Sequence, residues 1–111
     1  MARLLSALAL TTVLHGQMTF YAPDIMEQVR DTRVGMGHVQ DCADCVGLLA
    51  VEDRQLVGWH AYLKLADGRV FGPLLVVDCG KFQTHGRIAE VNYAFAARIG
   101  MRGPLDDVTL S

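Results

Sequence analysis

The sequence predicts a small, mostly β domain: a six-stranded barrel with one short helix near the C-terminus. Three observations carry this. Six segments rich in β-formers lie between turn signals. Eleven glycines against three prolines supply tight turns. The clearest switch to helical spacing comes late, after residue 91. With 111 residues the chain suits one domain, and 51% apolar residues give it material for a core. The net charge is -2 and the ten basic residues are scattered, so no nucleic-acid surface is expected.

The elements follow in order. Arg3, the apolar run "LLSALALTTVL" and then "HGQ" have the layout of an export leader over residues 1–16, too short to span a bilayer. The folded domain is then 17–111, with no membrane span once the leader is removed. "QMTFYA" (17–22) alternates and reads as the first strand. "PDIMEQVRD" places Ile25, Met26 and Val29 at helical spacing, enough for one or two turns. Residues 31–45 are polar and glycine-punctuated and read as a long loop.

"VGLLAVE" (46–52) is a strand. "GWHAYLKLA" (58–66) alternates Trp59, Ala61, Leu63 and Leu65 against His60, Tyr62 and Lys64. The Asp67-Gly68 pair turns the chain into "RVFGPLLVVD" (69–78), where Gly72-Pro73 marks a bulge or an edge. "RIAEV" (87–91) is short. Asn92 is an N-cap for "YAFAARIG", with Phe95 and Ile99 on one face and Gly100 just past the helix end. "PLDDVTL" closes the chain as a strand.

The chemistry gathers in "LLVVDCGKFQTHGRIAEV" (74–91), where two apolar segments deliver Asp78 and Glu90 around a loop containing His85. Paired carboxyls suit general acid–base chemistry, in which one of them is held protonated. Asp78, at the end of four apolar residues, is the general-acid candidate. Glu90, Glu52 or Asp53 is the second group. Asp78 capping the turn that follows is the competing structural role, and Glu90 paired with Arg87 is another. Tyr21, His60, Tyr62 and His85 are candidates for binding substrate, while Trp59 reads as core. No cofactor is implied. "DCADC" gives Cys42 and Cys45 the C-x-x-C spacing of metal and redox sites, which His38 or His60 with Cys79 would have to complete; one local pair is a weak signal, and no metal centre is expected.

The run Gly58–Leu110 resembles the double-psi β-barrel of rare lipoprotein A-like proteins, expansins and barwin-like domains. The residues that carry the resemblance are Asp78-Cys79-Gly80 as a D-x-G turn, Gly86-Arg87-Ile88-Ala89-Glu90, the alanine-rich helix from Asn92 to Gly100, and "MRGPLDDVTL". Tyr21 is similar to a tyrosine of that family's first strand. The chain departs from the family where a "T-A-N-G" segment would stand, and "RDTRVGMGHVQDCADC" (30–45) is there instead. A histidine expected near Glu52 is absent, and Cys79 replaces an arginine.

The resemblance implies an exported, secreted or periplasmic domain of the cell envelope. Its partner would be peptidoglycan or another polysaccharide, and its action cleavage by a lytic transglycosylase-like reaction or expansin-like loosening. A barrel that only binds glycan or protein is the alternative, and the departures favour it. The fold also lends a disulfide from Cys79 to Cys42 or Cys45. Cys45 is the expected partner because both it and Cys79 adjoin strands.

Overall fold

The computed structural model describes residues 13–111. Its strands are β1 (Leu14–Phe20), β2 (Gly47–Val51), β3 (His60–Lys64), β4 (Val70–Cys79), β5 (Arg87–Val91) and β6 (Leu105–Leu110). Its helices are α1 (Ile25–Gly35) and α2 (Tyr93–Arg98), with one 3₁₀ turn at Arg54–Leu56. The six strands close into a barrel in the order β1-β5-β2-β4-β3-β6. β1 runs parallel to β5, and β2 parallel to β4. The remaining neighbours are antiparallel. This closed mostly-β architecture, with a short helix near the C-terminus, is the predicted one and is compatible with a double-psi barrel.

Two boundaries differ from expectation. Residues 1–12 of the expected leader lie outside the described residues. Leu14, His15 and Gly16, placed in that leader by the sequence, are instead strand, paired with Leu110, Thr109 and Val108 of β6. The expected one or two turns after Pro23 extend to an eleven-residue helix, which takes Asp31–Gly35 from the expected loop. Met26, Val29 and Arg33 continue the helical spacing. Gly37 ends it at φ 76°, where its N–H meets the Val34 carbonyl and that of His38 meets Arg33. Gly100 ends α2 in the same way at φ 82°, with Met101 N–H on the Ala96 carbonyl.

The hydrophobic material forms two layers. Inside the barrel lie Met18, Leu49, Val51, Leu63, Leu74, Val76 and Phe95, among others. Outside it, Leu48, Ala50, Leu75 and Val77 pack under Met26 of α1 and Val39. β2 and β4 are therefore covered on both faces, which is why "GLLAV" and "LLVV" are unbroken apolar runs rather than alternating ones. β3 has one wet face and alternates as read: Leu63 and Leu65 are buried, while His60, Tyr62 and Lys64 are exposed. Trp59 is only half-buried; its indole N–H donates to the Gln55 carbonyl at 3.0 Å. The β3/β4 register slips around Gly72-Pro73, as expected of a bulge: Ala61 faces Leu74 but Leu63 faces Phe71.

Asn92 occupies the N-cap position of α2, but its side chain does not cap the helix. Its carbonyl has already turned into the helix and accepts the Ala96 N–H. Its side-chain Oδ1 takes the Leu48 N–H at 2.9 Å, standing in for the missing ladder acceptor. Its Nδ2 donates to Glu27 Oε2 of α1 at 2.7 Å. One buried amide thus ties together β2, α1 and the start of α2.

Candidate functional site

The site lies on the outer wall of the barrel, beside α1. Ala50 on β2 faces Asp78 of β4 on one side and Glu90 of β5 on the other. Residues directly opposite across strands project from the same face, so the two carboxylates share the outer face with the small Ala50 between them. Two strand spacings set their Cα atoms about 10 Å apart. A bulge between Leu49 and Ala50 gives Asp78 this register.

Asp78 is surrounded by donors. The Tyr21 hydroxyl donates to Oδ2 at 2.8 Å, Arg33 Nη2 donates to Oδ1 at 3.3 Å, and the Cys79 N–H donates to Oδ1 at 2.9 Å. Tyr21 is held by its own N–H on the Val91 carbonyl at 2.9 Å. Burial pushes its phenol well above the usual tyrosine range, and the hydrogen bond to Asp78 and the nearby charges of Asp78 and Glu90 push the same way. Arg33 keeps its Nε buried and without a hydrogen-bond partner among the described residues.

Glu90 has a different setting. Its ion-pair partner is Arg87, three residues back in the same strand, with Nη1 3.6 Å from Oε2. Gln17 Oε1 holds that guanidinium by accepting Nε at 3.0 Å and Nη2 at 2.8 Å. Burial raises the Glu90 carboxyl above its ordinary range; Arg87 opposes the shift and the Asp78 charge adds to it. Asp78 accepts from three donors, and burial raises the Glu90 carboxyl.

The expected candidates separate. Tyr21, Asp78 and Glu90 come together. Glu52 accepts the Phe82 N–H at 2.8 Å and so pins the loop after Asp78 to the end of β2. Asp53 caps the 3₁₀ turn through Gln55 N–H. Tyr62 lies against Gly72, where an added Cβ would strike its ring. That is six residues before Asp78, about 20 Å along the strand. His60 faces Leu75, about 10 Å along β4 from Asp78. His85 is exposed in the loop between β4 and β5. The apolar cleft bordered by Leu14, Leu49, Val51, Trp59 and Leu110 also has His60 on its wall, but no Asp or Glu side chain lines it.

The expected Cys45–Cys79 bridge is not formed. Cys42 bonds Cys45, with Cα atoms 5.4 Å apart, and Cys79 is a free thiol. The reason is strand direction. β2 and β4 are parallel, so Gly47, beside Cys45, faces Leu74, whereas Cys79 faces Val51 at the far end. The five steps from Leu74 to Cys79 alone span about 16 Å, and Cys45 lies two residues further back than Gly47. The Cys45 N–H on the Cys42 carbonyl at 3.2 Å folds the loop so that these two sulfurs meet instead.

Arg33, Arg87 and Gln17 were not singled out as site residues by the sequence, although Arg87 was weighed as a partner for Glu90. Arg33 was legible as the next member of the Met26–Val29 helical series. Gln17 had no local signal, because it meets Arg87 only through the parallel pairing of β1 with β5. No protein family matches the chain, and a comparison with curated proteins finds no match.

Proposed function

We propose that the Asp78–Glu90 pair is the reacting centre of an exported, glycan-cleaving barrel, with Glu90 as the proton donor and Asp78 as the charged partner. The observation that carries this is the placement of both carboxyls on one outer face, across Ala50, in unlike surroundings. Burial raises the Glu90 carboxyl, as suits the group that gives the proton. This reverses the roles expected from the sequence, where Asp78 was the acid. The difference comes from the three donors on Asp78, which leave it the acceptor's part. Tyr21 and Arg33 orient Asp78, and Gln17 orients Arg87 against Glu90. The resemblance to the double-psi barrels of the cell envelope supplies the substrate class, peptidoglycan or another polysaccharide.

The test is release of soluble fragments from peptidoglycan and from β-glucans by the wild-type chain. Glu90→Gln is expected to abolish release with glycan binding retained, and Asp78→Asn to reduce it. Release unchanged in Glu90→Gln refutes the assignment of the acid.

A second reading rests on a specific observation: Asp78 accepts from Tyr21, Arg33 and the Cys79 N–H, as in a corner built for structure. In that case the barrel binds glycan or protein without cleaving it. Saturable binding with no release of fragments, surviving Asp78→Ala, identifies this reading.

A further inference from the structure

The carboxylate pair makes no use of the C-x-x-C loop, yet that loop meets a histidine from another element. Cys42 Sγ, Cys45 Sγ and a ring nitrogen of His60 all lie within 4.8 Å of one another. His60 projects from the wet face of β3 and is exposed. The disulfide packs beside Leu75, the residue that His60 faces across the strand pair. Two sequence-distant elements therefore deliver three metal-ligating side chains to one accessible point.

We propose that Cys42, Cys45 and His60 form a Zn²⁺ site that opens when the Cys42–Cys45 bond is reduced. A dithiol reductant supplies two electrons and two protons; the S–S bond breaks, and the reductant leaves as its own cyclic disulfide. Zn²⁺ then displaces the two thiol protons to solvent and takes two thiolates and one neutral imidazole nitrogen. A tetrahedral site with Zn–S about 2.3 Å sets its sulfurs about 3.8 Å apart. The freed sulfurs separate to that spacing inside the present 4.8 Å cluster, and His60 needs to close by only about 1 Å. The backbone already has the form such sites use, since the Cys45 N–H on the Cys42 carbonyl keeps both sulfurs on one side of the turn. His60 sits at the surface, so the fourth position faces solvent. Disulfide and metal exclude each other, because the bonded sulfurs are not thiolates. The site is thus occupied in a reducing setting and closed in an oxidising one.

The test uses the whole chain carrying Cys79→Ser, which removes the remaining thiol. The protein is reduced with a dithiol, freed of it without air, and titrated with Co²⁺ and then with Zn²⁺ against a chromophoric chelator. One metal per chain is expected, with the thiolate charge-transfer and visible bands of tetrahedral Co²⁺, both lost on reoxidation. His60→Ala is expected to weaken Zn²⁺ by more than the roughly 10–100-fold that loss of an outer hydrogen-bond partner costs. His60→Cys is expected to restore binding, which a merely structural role for His60 does not predict. His38→Ala should change nothing. Absence of stoichiometric metal in the reduced protein, or an affinity that His60→Ala leaves unaltered, overturns the proposal.

Discussion

Replacing Asn92 by alanine tests how the barrel, α1 and α2 are joined. Asn92 is 6% exposed and makes two side-chain hydrogen bonds, to Leu48 N–H and to Glu27 Oε2. The variant leaves the Leu48 N–H buried without an acceptor, because the Asn92 carbonyl is committed to Ala96. A buried donor without a partner costs about 1–3 kcal/mol. The bond to Glu27 Oε2 adds about 1 kcal/mol, and Oε1 of the same carboxyl is already buried without a partner among the described residues. The sum is about 2–4 kcal/mol. For a domain of this size each kcal/mol moves Tm by about 4–8 °C, so a fall of at least about 8 °C is expected. Urea unfolding followed by far-UV circular dichroism, alongside thermal scans, measures both quantities. Asn92→Asp keeps the acceptor for Leu48 but sets a carboxylate against Glu27, and should also destabilise. Glu27→Gln keeps an acceptor for Asn92 Nδ2 and should cost least. A loss below about 1 kcal/mol in Asn92→Ala means that water replaces the amide, and the joint is not what Asn92 provides.

Three further outcomes follow from the same contacts. Burial raises the Glu90 carboxyl, so the folded chain holds that proton to higher pH than the unfolded chain. Its contribution is complete below about pH 4.3, the ordinary glutamate value, and is lost as pH rises through the raised one. Glu90→Gln should therefore match wild type in acid and exceed it in stability above that window; equal Tm at every pH refutes the burial argument. Tyr21→Phe removes the 2.8 Å bond to Asp78 and should cost about 1.5–3 kcal/mol at most, as for bonds to charged groups. In a spectrophotometric titration it should delete the tyrosine that ionises latest; loss of an earlier one contradicts the assignment. Met26→Ala, at a side chain with no exposure, should cost about 2–5 kcal/mol. It should also loosen α1 first, so amide exchange that quickens evenly across the protein, rather than in Val29–Val34, counts against the two-layer core.

Local signals in the sequence were enough for the strands and for α2, because they rest on short-range patterns: alternation in β3, the Asp67-Gly68 turn, and the glycine past Ile99. Pairing direction was not local. Nothing in "VGLLAVE" or "LLVVDC" says whether the two strands run together or against each other. The cysteine pairing turned on that single fact, since only antiparallel strands would bring Cys45 near Cys79. The carboxylate pair was legible for a related reason. Asp78 and Glu90 each end or nearly end an apolar run, which marks them as leaving a packed surface whatever the strand order. What brings them to one face is Ala50, and an alanine in an apolar strand carries no signal of its own.

The unbroken apolar runs imply a second packed face. A strand of a small barrel needs to be apolar only on the side that faces the core, and β3 shows that economy. β2 and β4 are apolar on both sides, so something outside the barrel must cover them. α1 is that cover, and its length follows from the surface it hides: Met26 and Val29 lie over Leu48, Leu75 and Val77. A cover laid across the outer wall has an edge. At that edge the helix presents Arg33 to Asp78, and the C-x-x-C loop that follows it reaches His60. The two chemically distinctive clusters of the molecule are therefore not features of the barrel alone. Both arise where the added outer layer meets the wall, and truncating Met26 should disturb Arg33–Asp78 pairing before it disturbs the barrel.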